Sequence, residues 1–132
     1  HIDEILYSPL VRAADTAKHI SEVTGIACRE EIRLKEQNFG RYESTARDGE
    51  EFAKAKMNFV YDFDGGETML HLCQRIYNLI DDIKNDSEDK VYLLVAHNGI
   101  SRIVESYFNN MTNEEFSSFG IKNCELKKYT FR

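Results

Sequence analysis

The sequence predicts a three-layer α/β/α fold, in which helices cover both faces of a mostly parallel central sheet. Two segments carry this prediction. In residues 91–108, VYLLVAHNGISRIVESYF, a short apolar run with β-branched residues leads through an Asn-Gly turn signal into the apolar stripe of an amphipathic helix. In residues 5–20, the run ILY precedes a second helical pattern. Continuous apolar strands that alternate with amphipathic helices are typical of parallel sheets.

The composition indicates one domain that spans residues 1–132. The apolar content of 42% is enough to form a core. The net charge is −6, the pI is near 5.2, and the sequence contains no cluster of basic residues. No apolar run approaches the ~20 residues of a membrane-spanning helix. We therefore expect neither a nucleic-acid nor a membrane partner, and the oligomeric state stays open.

The spacing of cysteines and histidines argues against a disulfide framework and against a metal site. Cys28, Cys73 and Cys124 are odd in number and lack CxxC spacing, and the histidines show no HxxxH pattern. We therefore expect free thiols in a reducing cytoplasm, with no metal and no cofactor.

The number of strands is low for this fold class. Ile5–Tyr7 gives a strand-like run almost directly after His1, and the whole sequence offers only three or four such runs. Parallel sheets with helices on both faces usually have about five or six strands. We therefore expect that the first strand of the sheet precedes His1 in the natural sequence.

The first strand–helix unit places a cation at one end of the sheet. After the strand Ile5–Tyr7, the Ser8-Pro9 pair predicts a helix start, with serine as the N-cap and proline as the first helical residue. Arg12 falls off the apolar face in the first turn, where a cation opposes the helix dipole at a cost of about 1 kcal/mol or less. An anion bound beside Arg12 would offset this cost. Alternatively, Arg12 simply points into water.

Residues 29–64 form an irregular, charged segment, which we interpret as a cap over a site. Within it, Ile32 and Leu34 alternate as in a short strand, and Glu50–Val60 shows a loosely amphipathic helical pattern. Glu36 lies just before a glycine turn, but by itself it is one acid among 23.

The strongest helical pattern of the chain lies at residues 69–83. His71 and Arg75 fall off its apolar stripe, so we expect both side chains to face solvent. At the end of the chain, residues 124–131 are predicted as an edge strand.

His97 stands at the carboxyl end of the strand in residues 91–95, which is the end of an open α/β sheet where ligands bind. Gly99 has no side chain to block a ligand, and the helix that follows offers free backbone N–H groups to an anion. His97 is therefore a candidate binding residue. Alternatively, it only fills the end of a strand.

Together, these segments resemble the histidine phosphatase superfamily, the phosphoglycerate-mutase-like proteins. Four blocks occur in the family's order, and a closing segment, IKNCELKKYTF, is similar to the family's last strand. Each block is weak alone, but four in order at compatible spacings form a strong signal. The blocks are YSPLVRAADTA, LKEQNFGRYE, GGET and VAHNGISR.

The resemblance implies a phosphoryl-transfer site. Arg12 would bind the phosphoryl oxygens, His97 would donate to them, and Glu36 would act as the general acid and then as the base. Asn98 and Gly99 would lie beside the substrate, a small phosphorylated molecule. Family chemistry runs through a phosphohistidine and needs no metal.

The family's nucleophile lies in an Arg-His-Gly block on the first strand, and this sequence contains no Arg-His-Gly. We expect that block upstream of His1, in a strand–helix unit of about 30 residues or more. We therefore expect the polypeptide as numbered to be inactive. Two smaller departures are Asn98 and Ser44, which stand where the family usually has glycine.

Three functions fit the resemblance. A phosphomonoester hydrolase is favoured over a cofactor-dependent phosphoglycerate mutase, because mutases usually carry a longer insertion than Gln37–Asp64 before the Gly-Gly-Glu block. Turnover of 3-phosphoglycerate with a bisphosphate primer would separate these two. The third is a catalytically dead phosphate-binding module, which would fit the missing nucleophile, although Arg12, Glu36 and His97 are all present.

Overall fold

A computed structural model of the chain describes residues 1–44, 49–86 and 89–131. Within these ranges it contains three strands, five α-helices and two short 3₁₀ helices. In chain order these are β1 (Glu4–Tyr7), α1 (Val11–Thr24), β2 (Cys28–Glu30), the 3₁₀ helices Ile32–Leu34 and Gly40–Tyr42, α2 (Glu50–Lys56), α3 (Met69–Asp86), β3 (Tyr92–Val95), α4 (Asn98–Phe108) and α5 (Asn113–Ser118).

The three strands form one parallel sheet in the order β2-β1-β3, and the predicted α/β fold class is confirmed. The central strand is β1, whose Ile5 and Leu6 are fully buried. The sequence pattern predicts that the strand before His97 is buried on both faces, but the residues of β3 are only half-buried. The reason is that, in the described part of the chain, β3 pairs with β1 alone and lies at the edge of the sheet.

Helices cover both faces of this sheet. Leu6 packs in the main core with residues of α3 and α4. Its neighbour Ile5 points to the opposite face, because successive side chains of a strand alternate, and α1 contacts all three strands. The buried members of the main core are Leu6, Leu34, Met69, Leu72, Ile76, Leu79, Ile80, Ile100 and Ile103.

Helix α1 begins at Val11, two residues later than the Ser-Pro pattern predicts. Its N-cap residue, Leu10, makes no side-chain cap hydrogen bond. Ser8 acts one turn earlier, because its hydroxyl oxygen accepts the N–H of Leu10 at 3.3 Å and also bonds to His97. Arg12 nevertheless lies in the first turn of α1, as predicted.

Two of the predicted strands are wrong. Ile32–Leu34 is a 3₁₀ helix, because the carboxylate of Glu31 accepts a backbone N–H two residues further on and closes a tight turn. The strand of this region is β2 instead. Residues 124–131 form no strand, since the ring of Tyr129 stacks on Phe108 and holds this segment against α4.

The segment 29–64, predicted to be a cap, has a small hydrophobic cluster of its own, in which aromatic rings pack mainly edge to face. Its helix α2 ends at Lys56, four residues earlier than the pattern predicts, and residues 45–48 lie outside the described ranges. The role of the segment as a cap stays a prediction. The cluster consists of Phe39, Tyr42, Phe52 and Phe63.

Candidate active site

The carboxyl ends of the strands meet at one edge of the sheet. Tyr7, the last residue of β1, is in register with Val95, the last residue of β3. The N–H of Ser8 donates to the carbonyl of Val95 at 2.9 Å. The residues that follow these two strands therefore lie side by side, which brings Ser8 next to His97.

His97 lies between β3 and α4, and its ring is half-buried. Its Nε2 lies 2.8 Å from Oγ of Ser8, whose side chain is fully buried. Burial lowers the pKa of His97 below its ordinary value of 6.5, while the charge of Glu36 opposes this shift and the charge of Arg12 adds to it. His97 is therefore mainly neutral at neutral pH.

Arg12 and Glu36 both act electrostatically on His97, so the three residues predicted to be catalytic lie in one region. Arg12 is exposed in the first turn of α1, and Glu36 is half-buried in the loop between the two 3₁₀ helices. An exposed cation, a neutral imidazole and a carboxylate therefore share the carboxyl edge of the sheet.

The carboxylate of Glu36 lies against the first turn of α4. A Cβ atom on Gly99 would come within 2.8 Å of Oε1 and 3.0 Å of Oε2 of Glu36, so glycine leaves the room that this carboxylate occupies. The N–H of Gln37 donates to Oε1 at 2.9 Å and orients the group. A negative charge at a helix N-terminus also interacts favourably with the helix dipole.

Asn98 and Gly99, predicted to lie beside the substrate, begin α4 directly after His97. The exposed Asn98 accepts the N–H of Ile121 at its Oδ1, at 2.8 Å, and so ties the segment after α5 to the start of α4. Gly99 faces the carboxylate of Glu36. Contact of Asn98 and Gly99 with a substrate stays a prediction.

Reasoning from the sequence misses Arg102, a further charged group near Glu36. Its guanidinium lies 5.1 Å from the ring centre of Phe116, and its Nε is buried with no hydrogen-bond partner among the described residues. Burial lowers the pKa of Arg102, and the charge of Glu36 opposes the shift. A signal was available, because Arg102 closes the VAHNGISR block.

The remaining three histidines do not follow a strand. His1 pairs with Asp3 at 2.8 Å, and His19 and His71 are exposed on helices α1 and α3. Within the described ranges, no group of three or more His, Cys, Asp or Glu side chains is placed to hold a metal ion. No helix in these ranges has the length and apolar character needed to cross a membrane.

Comparison with protein families identifies the family to which the chain belongs. The family described as the histidine phosphatase superfamily (branch 1) matches residues 1–132. The chain belongs to the histidine phosphatase superfamily. The resemblance that the four sequence blocks indicate is thereby confirmed, and it extends over the whole sequence.

Three solved structures show the same fold as this histidine phosphatase superfamily member. A mycobacterial glucosyl-3-phosphoglycerate phosphatase has a TM-score of 0.74 at 21% identity, over 92% of this chain and 64% of that protein. The alpha-ribazole phosphatase of Shigella flexneri has a TM-score of 0.71 at 20% identity, over 92% and 64%. YhfR of Bacillus stearothermophilus has a TM-score of 0.72 at 20% identity, over 89% and 62%.

The chain thus spans less than two thirds of the length of each of these three structures. At such low identity, the similarity of these structures establishes the fold alone. Among curated proteins, none matches this superfamily member significantly.

Proposed function

We propose that this protein is a phosphomonoester hydrolase that acts on a small phosphorylated substrate. The observation that supports this function is the grouping of Arg12, Glu36 and His97, in which the charges of the first two act on the imidazole. A phosphoryl group in transfer carries negative charge on its equatorial oxygens, so fixed donors can supply most of the stabilisation. Phosphatases with the same fold, such as the mycobacterial and Shigella flexneri enzymes, support this reaction class.

The proposed reaction runs through a phosphohistidine. A histidine nitrogen attacks phosphorus, and the bond from phosphorus to the leaving oxygen breaks. Water then attacks the phosphohistidine, which releases inorganic phosphate and restores the imidazole. We place the nucleophile in an Arg-His-Gly block before His1, because this sequence contains no such block and spans 64% of the length of the mycobacterial phosphatase.

Each of the three side chains has one role in this proposal. The planar fork of Arg12 binds two phosphoryl oxygens, and His97 donates an N–H to the same group. Glu36 gives its proton to the leaving oxygen and later takes a proton from the attacking water. The neutral state of His97 fits a hydrogen-bond donor that does not itself transfer the proton.

The test compares leaving groups of different basicity in the natural full-length protein. An alkyl phosphate leaves as a basic alkoxide and needs a proton, whereas p-nitrophenolate leaves without much help. Glu36→Gln should therefore lower kcat/KM for the alkyl ester about 10²-fold more than for p-nitrophenyl phosphate, since kcat/KM reports the step that releases the leaving group. With the activated ester, the variant should also accumulate phosphoenzyme with an acid-labile, base-stable bond, because no base activates the water.

Glu43→Gln is the matched control, because Glu43 is a nearby acid whose carboxylate accepts the N–H of Phe39. It should leave the ratio of the two rates unchanged. Equal losses on both esters in Glu36→Gln, with no trapped phosphohistidine, would remove Glu36 from the mechanism.

A second candidate function is a phosphate-binding module without catalysis. It is favoured by the observation that, in the part of the chain that the structure describes, His1, His19 and His71 do not follow a strand and His97 is the one histidine at the carboxyl end of a strand. The polypeptide of residues 1–132 should hydrolyse no p-nitrophenyl phosphate above background in EDTA. Absence of turnover in the natural full-length protein as well, together with phosphate binding that Arg12→Ala abolishes, would establish the module instead of the hydrolase.

We also propose a cytoplasmic location for the protein. Cys28, Cys73 and Cys124 are free thiols, as a reducing compartment would keep them. Burial raises the pKa of the Cys73 thiol, which makes this cysteine less reactive.

A further inference from the structure

The helical pattern predicts that Arg75 of α3 faces solvent, and this prediction is wrong because its guanidinium is bound by other residues. Its side chain is 23% exposed and pairs with Glu67, whose side chain is 21% exposed. Nε of Arg75 lies 2.8 Å from one carboxylate oxygen of Glu67, and Nη2 lies 2.9 Å from the other. Such a two-point pair fixes the orientation of both groups.

The guanidinium of Arg75 also reaches the loop that carries Glu36. Its Nη1 donates to the carbonyl of Arg33, and its Nη2 is 3.5 Å from the carbonyl of Glu36 itself. One arginine therefore joins helix α3 to the backbone at Arg33, three residues before the proposed acid, and at Glu36 itself.

Glu67 attaches the same loop from the other side. Its N–H donates to the carbonyl of Asn38 at 2.8 Å, and its own carbonyl accepts the side-chain amide of Gln37 at 2.9 Å. Gln37 is buried, so this contact is shielded from water. The backbone on both sides of Glu36 is thus held by the pair Glu67–Arg75.

The loop needs such support because it has little regular structure. Lys35 and Phe39 still take part in backbone hydrogen bonds of the flanking 3₁₀ helices, but the residues 36–38 between them belong to no helix or strand. Leu34 anchors the start of the loop in the core. The direction of the Glu36 side chain therefore depends on contacts made by its neighbours.

We propose that Glu67 and Arg75 are positioning residues for Glu36, and that they hold its carboxyl group where a leaving oxygen is protonated. This inference rests on the proposed function. Neither residue needs to touch the substrate. A general acid must lie within hydrogen-bond reach of its target, and a displacement of about 1 Å can cost about 10²-fold in rate.

The experiment measures the ratio of kcat/KM on an alkyl phosphate to kcat/KM on p-nitrophenyl phosphate in the natural full-length protein, because kcat/KM reports the step that releases the leaving group and not the later hydrolysis of the phosphoenzyme. Arg75→Gln should lower this ratio about 10- to 100-fold, because only the alkyl ester needs the acid. Both esters are assayed on one preparation, so a fraction of unfolded protein cancels in the ratio. Arg75→Lys keeps the charge but loses the fork, and it should lower the ratio as well.

Arg33→Gln is the matched control. Arg33 lies in the same segment and pairs with Glu31 at 3.0 Å and Asp82 at 2.7 Å, but its side chain makes no contact with Glu36 among the described residues. Like Arg75→Gln, this variant removes one arginine charge and one ion pair between an arginine and a glutamate. The ratio of the two rates should stay at the wild-type value.

The outcomes separate the inference from the proposed function. If Glu36→Gln lowers the ratio but Arg75→Gln and Arg75→Lys leave it unchanged, the positioning role is wrong and Glu36 keeps its role as the acid. If Glu36→Gln leaves the ratio unchanged, the assignment of the acid fails and the positioning role fails with it. A lowered ratio in the Glu36 and Arg75 variants, but not in Arg33→Gln, supports the proposal.

Discussion

Oγ of Ser8 lies 2.8 Å from Nε2 of His97, although the two residues are 89 positions apart in the sequence. Ser8 is fully buried, and its oxygen already accepts the N–H of Leu10. Its hydroxyl hydrogen therefore needs an acceptor, and Nε2 of the neutral imidazole is the one that the described residues provide. When Nε2 accepts this hydrogen, the proton of the neutral imidazole is on Nδ1, so the contact with Ser8 favours that tautomer.

The first prediction is that Ser8→Ala lowers kcat about 10-fold in the natural full-length protein. The variant removes the hydrogen-bond partner of Nε2, so His97 is no longer held in one tautomer. It also leaves a partly buried nitrogen unpaired, at a cost of about 1–3 kcal/mol. Ser21→Ala is the control, because Ser21 also donates a hydroxyl hydrogen bond in this unit, to the carbonyl of Ile26 at 2.5 Å. Equal kcat values for wild type and Ser8→Ala would contradict the assignment.

The second prediction concerns the pH dependence of the free energy of unfolding. Burial lowers the pKa of His97 in the folded protein, so between that value and about 6.5 the unfolded chain holds a proton that the folded chain has released. The neutral imidazole therefore contributes stability that is fully present above about pH 6.5 and is lost as the pH falls below it. The measurement is urea unfolding of wild type and His97→Gln from pH 7.5 to 5.0.

Glutamine at position 97 keeps a hydrogen-bonding group for Ser8 but does not titrate. The wild type should therefore lose more stability than His97→Gln as the solution is acidified. Parallel curves for the two proteins would show that the titration of His97 is not linked to folding.

The third prediction is that Arg12→Ala lowers kcat/KM for p-nitrophenyl phosphate about 10²–10³-fold, which is the usual loss for one oxyanion donor. Arg12→Lys should also lower kcat/KM, because the point charge of lysine cannot replace the planar, two-point hydrogen bonding of the guanidinium. Stability should hardly change, since Arg12 is exposed. Lys18→Ala is the control, because Lys18 is exposed on the same helix, and it should leave kcat/KM and stability unchanged. If Lys18→Ala lowered kcat/KM as much as Arg12→Ala does, the loss would reflect only a general effect of charge.

The positions of Arg12 and His97 could be predicted because each belongs to a strand–turn–helix unit whose apolar spacing is local. The contacts of Arg75 could not be predicted in this way. They join residues up to 42 positions apart, and a charged residue off an apolar stripe has the same local pattern whether it meets solvent or a carbonyl. The apolar pattern of β3 predicts more burial than the structure shows for a similar reason: burial of a strand depends on which strands pair with it, and this pairing is not visible in the local sequence.

Ser44 shows how the structure explains a departure from the family pattern. Its φ is +68°, in the left-handed region that glycine adopts without strain. This conformation accounts for the glycine that the family usually has at this position. The sequence shows the substitution, but the physical reason becomes visible only with the backbone angle.

The last prediction concerns Gly99 and the carboxylate of Glu36. In Gly99→Ala, the new methyl group would lie 2.8 Å from Oε1, so the carboxylate must move away. The backbone of α4 is not strained by the change, and alanine favours a helix over glycine by about 1 kcal/mol, so the variant should fold. We expect a lower kcat/KM for an alkyl phosphate with little change in kcat/KM for p-nitrophenyl phosphate, because only the alkyl ester needs the acid in the step that releases the leaving group.

A double-mutant cycle tests whether Gly99 acts through Glu36. Once Glu36→Gln has removed the acid, Gly99→Ala should cause no further loss on the alkyl ester, so the two effects should be strongly non-additive. Additive losses would mean that the methyl group disturbs something else at the start of α4, such as the orientation of His97 or the approach of the phosphoryl group to the backbone. The second of these cases is the one in which the first turn of α4 contacts the substrate itself, as the sequence predicts for Asn98 and Gly99.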